Sequence, residues 1–132
     1  MTRLLLDTTF LIDVERGGLD LDEAIDDDDD VAIAAITLAE LRVGVLLADD
    51  RRRADRAAFV AAVRSGLPVV DYDGNVADVH GELLAVVRRS GTPRGTHDLI
   101  IAATARATAR DVVTADRSAF EGLPGVEVHP HR

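Results

Sequence analysis

The chain has 132 residues, of which 24 are acidic and 15 basic, so its net charge at pH 7 is −9. It has no cysteine, which excludes disulfides, thiolate metal sites and thiol nucleophiles, and only 3% of its residues are aromatic, too few for an aromatic base-stacking platform. Because no apolar run reaches the roughly 18 residues of a membrane span, we expect a soluble, cytoplasmic protein. The length of the chain indicates one domain over residues 1–132.

The charged residues are unevenly distributed. Asp26–Asp30 is a run of five acids, which we interpret as a solvated loop because like charges repel. It lacks the interspersed glycine and distal glutamate of an EF-hand loop, which argues against a calcium site. All 15 basic residues are arginines, whose guanidinium group suits phosphate contacts. The negative net charge alone argues against a nucleic-acid partner. An acidic pocket surrounded by arginines would give the same net charge.

The N-terminal segment predicts a strand, a helix and a polar connection. Arg3–Leu6 is predicted as a strand buried on both faces, because its leucines are consecutive. The strand runs directly into Asp7, and we expect Thr8 or Thr9 to cap the helix that follows. Leu19–Asp30 is predicted as a polar connection with at most one helical turn.

The next segment predicts a second strand, Val31–Ala35, followed by a helix. Thr37 and Glu40 have the S/T-x-x-E spacing of a capping box at the start of that helix. Capping is therefore the simpler interpretation of Glu40.

The following segments predict a third strand and two helices. The strand is Val69–Val70, and Asn75–Arg89 has the apolar spacing of an amphipathic helix. The loop Ser90–Thr96 contains two glycines and a proline, and it delivers Asp98 to the start of a helix predicted over Leu99–Ala109.

The C-terminal segment predicts the end of the sheet. Val112–Thr114 is the fourth strand, Asp116 follows it, and Val126–Val128 is predicted as a last edge strand. His129 and His131 are predicted to lie in a frayed tail rather than in a metal site. The order of elements predicts an α/β fold with a mostly parallel sheet of four or five strands and helices on both faces.

Four acids stand next to these predicted elements. Asp7 ends the first strand, Glu40 lies in the helix after the second, and Asp116 follows the fourth, which places all three at one edge of a parallel sheet. Asp98 joins them only if its loop crosses to that edge. Each acid alone is explained as a cap or turn residue, but four together would repel one another and require a cation. Ligands that are all oxygens favour Mg²⁺ or Mn²⁺, ions that serve phosphodiester hydrolysis.

Four ordered segments carry a resemblance to a known family. They are LLLDTTFLID, AAITLAELRVG, GTHDLIIAATA and VVTADRSAF, and together they resemble PIN-domain ribonucleases of the VapC toxin family. The resemblance implies a PIN-like three-layer α/β/α sandwich and an endoribonuclease, dependent on Mg²⁺ or Mn²⁺, that hydrolyses RNA by a metal-activated water. It also implies a VapB-type antitoxin, a homodimer and no membrane association. The apolar faces Phe10–Val14 and Leu38–Leu46 are predicted docking surfaces for a partner.

The resemblance assigns site residues as well. The residues that it implies for catalysis and metal binding are Asp7, Glu40, Asp98 and Asp116. Asp116 stands where many relatives have asparagine, and Ala119 where they have an acid, so Asp116 is expected to act directly or through a water. Thr9, where many relatives have serine or asparagine, is expected to support the ligands together with Thr114. The arginines expected to contact RNA phosphates are Arg42, Arg94 and Arg117.

Three other functions compete with this one. A phosphatase of the haloacid-dehalogenase type needs a second aspartate two residues after the first, where this chain has Thr9. A response-regulator receiver needs a lysine near its acids, and the chain has no lysine. The remaining alternative is a catalytically inactive PIN fold that serves only as a protein-binding module.

Overall fold

The computed structural model describes residues 1–18 and 20–130. No helix among these residues is long and apolar enough to cross a membrane. The elements, in chain order, are β1 (Arg3–Leu6), α1 (Thr8–Glu15), α2 (Leu21–Ala24), β2 (Asp30–Ala34), α3 (Ala35–Leu47), α4 (Asp50–Gly66), β3 (Val69–Val70), α5 (Gly74–Ser90), α6 (Thr96–Ala107), β4 (Asp111–Val113) and a 3-10 helix at Arg117–Ala119.

β1 lies inside a parallel sheet whose strand order is β3-β2-β1-β4. Leu4 pairs with Val31 of β2, and Leu5 pairs with Val112 of β4. A strand that is covered on both faces needs apolar side chains at successive positions, and the leucines of β1 have no exposed surface. The predicted parallel sheet and its four main strands are confirmed, with boundaries within one residue.

Helices cover both faces of the sheet. On one face Leu5 packs in a cluster with Leu83 of α5 and with residues of α6. On the other face Leu4 and Leu6 pack with Phe10 of α1 and with residues of α3 and α4. Successive β1 side chains point to opposite faces, so one short strand contributes to both cores. This is the three-layer α/β/α arrangement that the sequence predicts.

The prediction of a last edge strand at Val126–Val128 is wrong, because the segment forms only an isolated bridge between Val128 and Val112. Pro130 follows, and a proline has no N–H with which to extend the pairing. The tail is nevertheless held at His129, whose backbone N–H donates to the Val112 carbonyl at 2.8 Å. The prediction of a frayed end is therefore wrong at His129, and His131 lies outside the described residues.

The two predicted docking surfaces also need correction. Phe10 is completely buried and Leu11 is 2% exposed, because α1 follows β1 directly and turns its apolar side chains into the core. On α3, in contrast, Val43, Leu46 and Leu47 are exposed. The apolar surface that is open to a partner therefore lies on the second half of α3.

The acidic run lies at the edge of the sheet where β1 and β2 begin. Asp26 and Asp28 are exposed, as predicted, but Asp29 accepts a hydrogen bond from the Thr2 backbone and Asp30 forms an ion pair with Arg110 at 3.0 Å. Oxygens of Asp26, Asp28 and Asp29 lie within 4.8 Å of one another. Exposed acids at this spacing are common, and this edge is opposite to the one where β1 and β4 end.

Candidate active site

The site lies where β1 and β4 end side by side. Within the sheet, β2 and β3 lie on one side of β1, and β4 lies on its other side. The strand order therefore reverses between β1 and β4. The loops that follow two such strands run in opposite directions and leave a crevice between them, and α/β folds bind their ligands in this crevice. Asp7 follows β1 at this crevice, and Thr114 and Asp116 follow β4.

Asp7 is a buried carboxylate that is anchored from both flanking elements. It is 1% exposed. Its Oδ1 accepts hydrogen bonds from the Thr9 hydroxyl at 2.7 Å and the Phe10 backbone at 3.0 Å, and its Oδ2 accepts from the Thr114 hydroxyl at 2.7 Å. The contact with Phe10 makes Asp7 the N-cap of α1. The predicted cap at Thr8 or Thr9 is therefore wrong, because the helix already begins at Thr8.

Burial and hydrogen bonding act in opposite directions on Asp7. Burial raises the pKa of the Asp7 carboxyl, because a charge is less stable away from water. Hydrogen bonds from Phe10, Thr114 and Thr9 lower it, and burial is the larger effect. Asp7 is thus held in a fixed orientation while its negative charge remains costly to maintain.

The turn after β4 is tied to Asp7 by hydroxyl groups. Thr9 and Thr114 have their hydroxyl oxygens 3.3 Å apart, and the Thr114 hydroxyl accepts from the Asp116 backbone N–H at 2.9 Å. Asp116 in turn accepts a hydrogen bond from the Ser118 hydroxyl at 2.7 Å. The structure therefore brings Thr9, Thr114 and Asp116 to Asp7, while their roles as ligands or supports stay predictions.

Glu40 is not part of a capping box. Helix α3 begins at Ala35, directly after β2 and three residues earlier than a cap at Thr37 requires, so Thr37 lies inside the helix and is completely buried. Glu40 accepts a hydrogen bond from the Thr8 hydroxyl at 2.7 Å, and its other oxygen lies 3.3 Å from His97 Nδ1. Sequence reasoning missed Thr8 and His97, although each is adjacent to a predicted site acid.

Asp98 lies in the first turn of α6, which begins three residues before the predicted start. Burial raises the pKa of its carboxyl, and the negative charges of Asp7, Glu40 and Asp116 raise it further, whereas His97 lowers it. The charges of the other three acids are close enough to act on Asp98, so all four acids belong to one cluster. The loop before α6 therefore does reach the carboxyl edge of the sheet.

Gly95 leaves room for the Asp98 side chain. A Cβ atom at position 95 would lie 2.7 Å from Asp98 Oδ2, closer than real Cβ contacts come. The backbone there has φ −59 and ψ 137, which any residue adopts. The requirement for glycine is therefore steric, and it comes from the position of one carboxylate.

The three predicted phosphate contacts have different surroundings. Arg42 is exposed on α3. Arg117 is exposed and pairs with Glu121 at 3.2 Å. Arg94 is half-buried and donates to backbone carbonyls beyond Asp116. Contact with RNA stays a prediction for all three.

The donor set fits a hard divalent cation. The cluster offers carboxylate oxygens, which Mg²⁺ and Mn²⁺ prefer. Burial raises the pKa of Asp98 most, and the repulsion between the acids raises it further; a bound cation would offset that repulsion.

Comparisons with known proteins agree with this geometry. The profile of the PIN domain family matches residues 4–125. Ribonuclease VapC5 from Mycobacterium tuberculosis is 38% identical over 126 residues, 93% of this chain and 91% of that protein. The tRNA(fMet)-specific endonuclease VapC from Salmonella typhimurium is 37% identical over 100 residues, 74% of this chain and 73% of that one. The solved structure of VapBC-5, a VapBC toxin-antitoxin system of M. tuberculosis, superposes with a TM-score of 0.80 at 35% identity, covering 97% and 98% of the two chains.

Without metal, Asp98→Asn should stabilise the protein by an amount that grows with pH. Well below the ordinary pKa of aspartic acid, folded and unfolded chains both hold the proton, and the carboxyl contributes no penalty. Above that value the unfolded chain ionises first, so the free energy of unfolding falls until the pH passes the raised pKa of the folded state. Thermal melts with chelator from about pH 4 to 8 measure the difference.

Asp78→Asn, on the exposed surface of α5, corrects these melts for the loss of one negative charge. A difference between Asp98→Asn and the wild type that does not change with pH would contradict a raised pKa of Asp98 in the folded chain.

Proposed function

This chain belongs to the PIN-domain family, and from that premise we propose that it is the toxin of a VapBC-type toxin–antitoxin pair. Its activity is endonucleolytic cleavage of RNA, and a VapB-type antitoxin neutralises it. The observation that carries the proposal is the meeting of the acids at one edge of the sheet: Thr114 bonds to both Asp7 and Asp116, and Glu40 contacts Thr8 and His97, the neighbours of Asp7 and Asp98. We propose further that residues 1–132 form one PIN domain, which acts in the cytoplasm.

The cofactor in this proposal is Mg²⁺ or Mn²⁺. The residues that would hold it are Asp7, Glu40, Asp98 and Asp116. When bound, such an ion stabilises negative charge on the reacting phosphate and lowers the pKa of an attacking water. Because Asp7 is fixed by hydrogen bonds from two residues of α1 and from Thr114 after β4, it serves as the rigid ligand of the set.

Glu40 is the acid best placed to orient a water molecule. It is half-buried, and its two oxygens contact Thr8 and His97, which restrict the rotation of the side chain. A carboxylate held in this way can accept a proton from water beside the scissile phosphate. Asp116, oriented by Ser118, completes the cluster from the β4 side.

The proposed partners use different surfaces. RNA phosphates would meet the exposed Arg42 and Arg117 at the rim of the acidic cluster. The antitoxin would cover Val43, Leu46 and Leu47, because an apolar surface of this kind gains free energy when it is buried. A homodimer stays a prediction from family resemblance.

Asp98→Asn should reduce RNA cleavage by at least about a hundredfold, because even residues behind a metal ligand cost 10- to 100-fold when changed. The variant should fold normally, since it removes a repelling charge. Cleavage is measured with Mg²⁺ or Mn²⁺ on total RNA and on tRNA(fMet), for which one relative is specific. Wild-type activity in Asp98→Asn, with Asp78→Asn as the control, would refute the site.

The inactive-module alternative is tested by metal binding alone. An ion that binds only the folded state stabilises it by about 2.7 kcal/mol at 100 times its dissociation constant. We expect Mn²⁺ to raise the melting temperature of the wild type and of Asp28→Asn, which changes the other acidic group, but not of Asp98→Asn. No shift in the wild type at millimolar Mn²⁺ would favour the inactive module.

Gly95→Ala should reduce cleavage about tenfold while leaving the fold intact, because the new methyl group displaces the Asp98 carboxylate. Gly81→Ala is the matched control, since a Cβ at this helical position of α5 meets nothing within 4 Å. Activity and circular dichroism of the two variants are compared. Equal activity would mean that the position of Asp98 does not limit catalysis.

A further inference from the structure

Arg94 links two segments of the site that are distant in sequence. It lies in the loop before α6, and its guanidinium group reaches the segment after β4. Nη1 donates to the carbonyls of Ser118 at 3.1 Å and Ala119 at 3.0 Å, and Nη2 donates to the carbonyl of Glu121 at 2.6 Å. One side chain thus joins the loop that leads to Asp98 to the chain that leaves Asp116.

The segment held by Arg94 has little structure of its own. It is a single turn of 3-10 helix, with hydrogen bonds such as the one from Phe120 N–H to the Arg117 carbonyl at 3.1 Å. One isolated turn is marginally stable, because few hydrogen bonds offset the ordering of its backbone. Phe120, which is completely buried, anchors the end of this segment in the core, and the three bonds from the guanidinium group hold the turn between Asp116 and that anchor.

The same segment orients a site acid. The Ser118 hydroxyl donates to Asp116 Oδ1 at 2.7 Å, and the Ser118 carbonyl accepts from Arg94. Arg94 is therefore connected to the Asp116 carboxylate through a single residue, Ser118. Asp98, four residues after Arg94, is repelled by that same carboxylate.

We propose that Arg94 is a positioning residue, whose guanidinium group fixes Asp116 relative to Asp98 and so sets the spacing of the acidic cluster. The inference rests on the proposed nuclease function. It is an alternative to the prediction that Arg94 contacts RNA phosphate, and it is favoured because Arg94 is half-buried and three of its N–H donors are occupied by backbone carbonyls.

Arg94→Lys separates the two roles, because lysine keeps the positive charge but lacks the planar fork that reaches several carbonyls. For a positioning residue we expect kcat to fall roughly ten- to a hundredfold while KM for RNA stays within about twofold. The Mn²⁺-induced rise in melting temperature should also shrink. Arg89→Lys, in the last turn of α5, makes the same chemical change away from the site and should behave as the wild type.

Hydrogen exchange gives a readout that does not depend on activity. The amides of Ala119, Phe120 and Glu121 bond within the held segment, and they should lose protection in Arg94→Lys but not in Arg89→Lys. Ser118→Ala should keep this protection, because its carbonyl remains, yet lower kcat by losing the hydroxyl on Asp116.

The outcomes separate the two proposals. Wild-type kcat together with retained protection in Arg94→Lys would overturn the positioning role. The role would also be overturned if Arg94→Lys changed only the KM for RNA and the dependence of that KM on salt. A wild-type protein that cleaves no RNA would overturn the proposed function instead, and hydrogen exchange with the Mn²⁺ melts would still decide whether Arg94 holds Asp116.

Discussion

A negative charge buried at the end of the central strand constrains the rest of the site. A carboxylate that is 1% exposed is tolerated only when hydrogen bonds replace the water that it has lost. Asp7 obtains them from α1 and from Thr114 after β4, so the two segments that flank the crevice are joined through it. Asp98 is also partly buried, which raises its pKa most, and the charges of Asp7, Glu40 and Asp116 raise it further. Such an arrangement lowers stability in the absence of a cation, and it is explained by ligand binding rather than by folding.

The features that depend on local pattern were predictable from the sequence. Consecutive leucines predict a strand covered on both faces, and Arg3–Leu6 is that strand. The four main strands come from short apolar runs and their parallel order from the helices between them. Asp7 and Asp116 follow strands, so their meeting at one edge follows from topology alone. Glu40 and Asp98 also join them in the structure.

The features that depend on tertiary contacts were not predictable. Thr37 and Glu40 have the spacing of a capping box, but α3 begins earlier because it continues directly from β2, and Glu40 receives its hydrogen bond from Thr8 in another helix. Sequence spacing likewise gives no sign that Arg94 reaches carbonyls 24 to 27 residues away. Val126–Val128 has the composition of a strand, yet it forms only one bridge beside Pro130.

The hydrogen bond between Asp7 and Thr114 spans 107 positions of the chain, and this distance has a consequence for synthesis. At translation rates of 5 to 20 residues per second, roughly 5 to 20 seconds separate the two residues on the ribosome. During that interval β1 has no β4 beside it, and Asp7 lacks the Thr114 hydroxyl, although the Thr9 hydroxyl is already present. A nascent chain therefore has no assembled acidic cluster until the segment after β4 has been made.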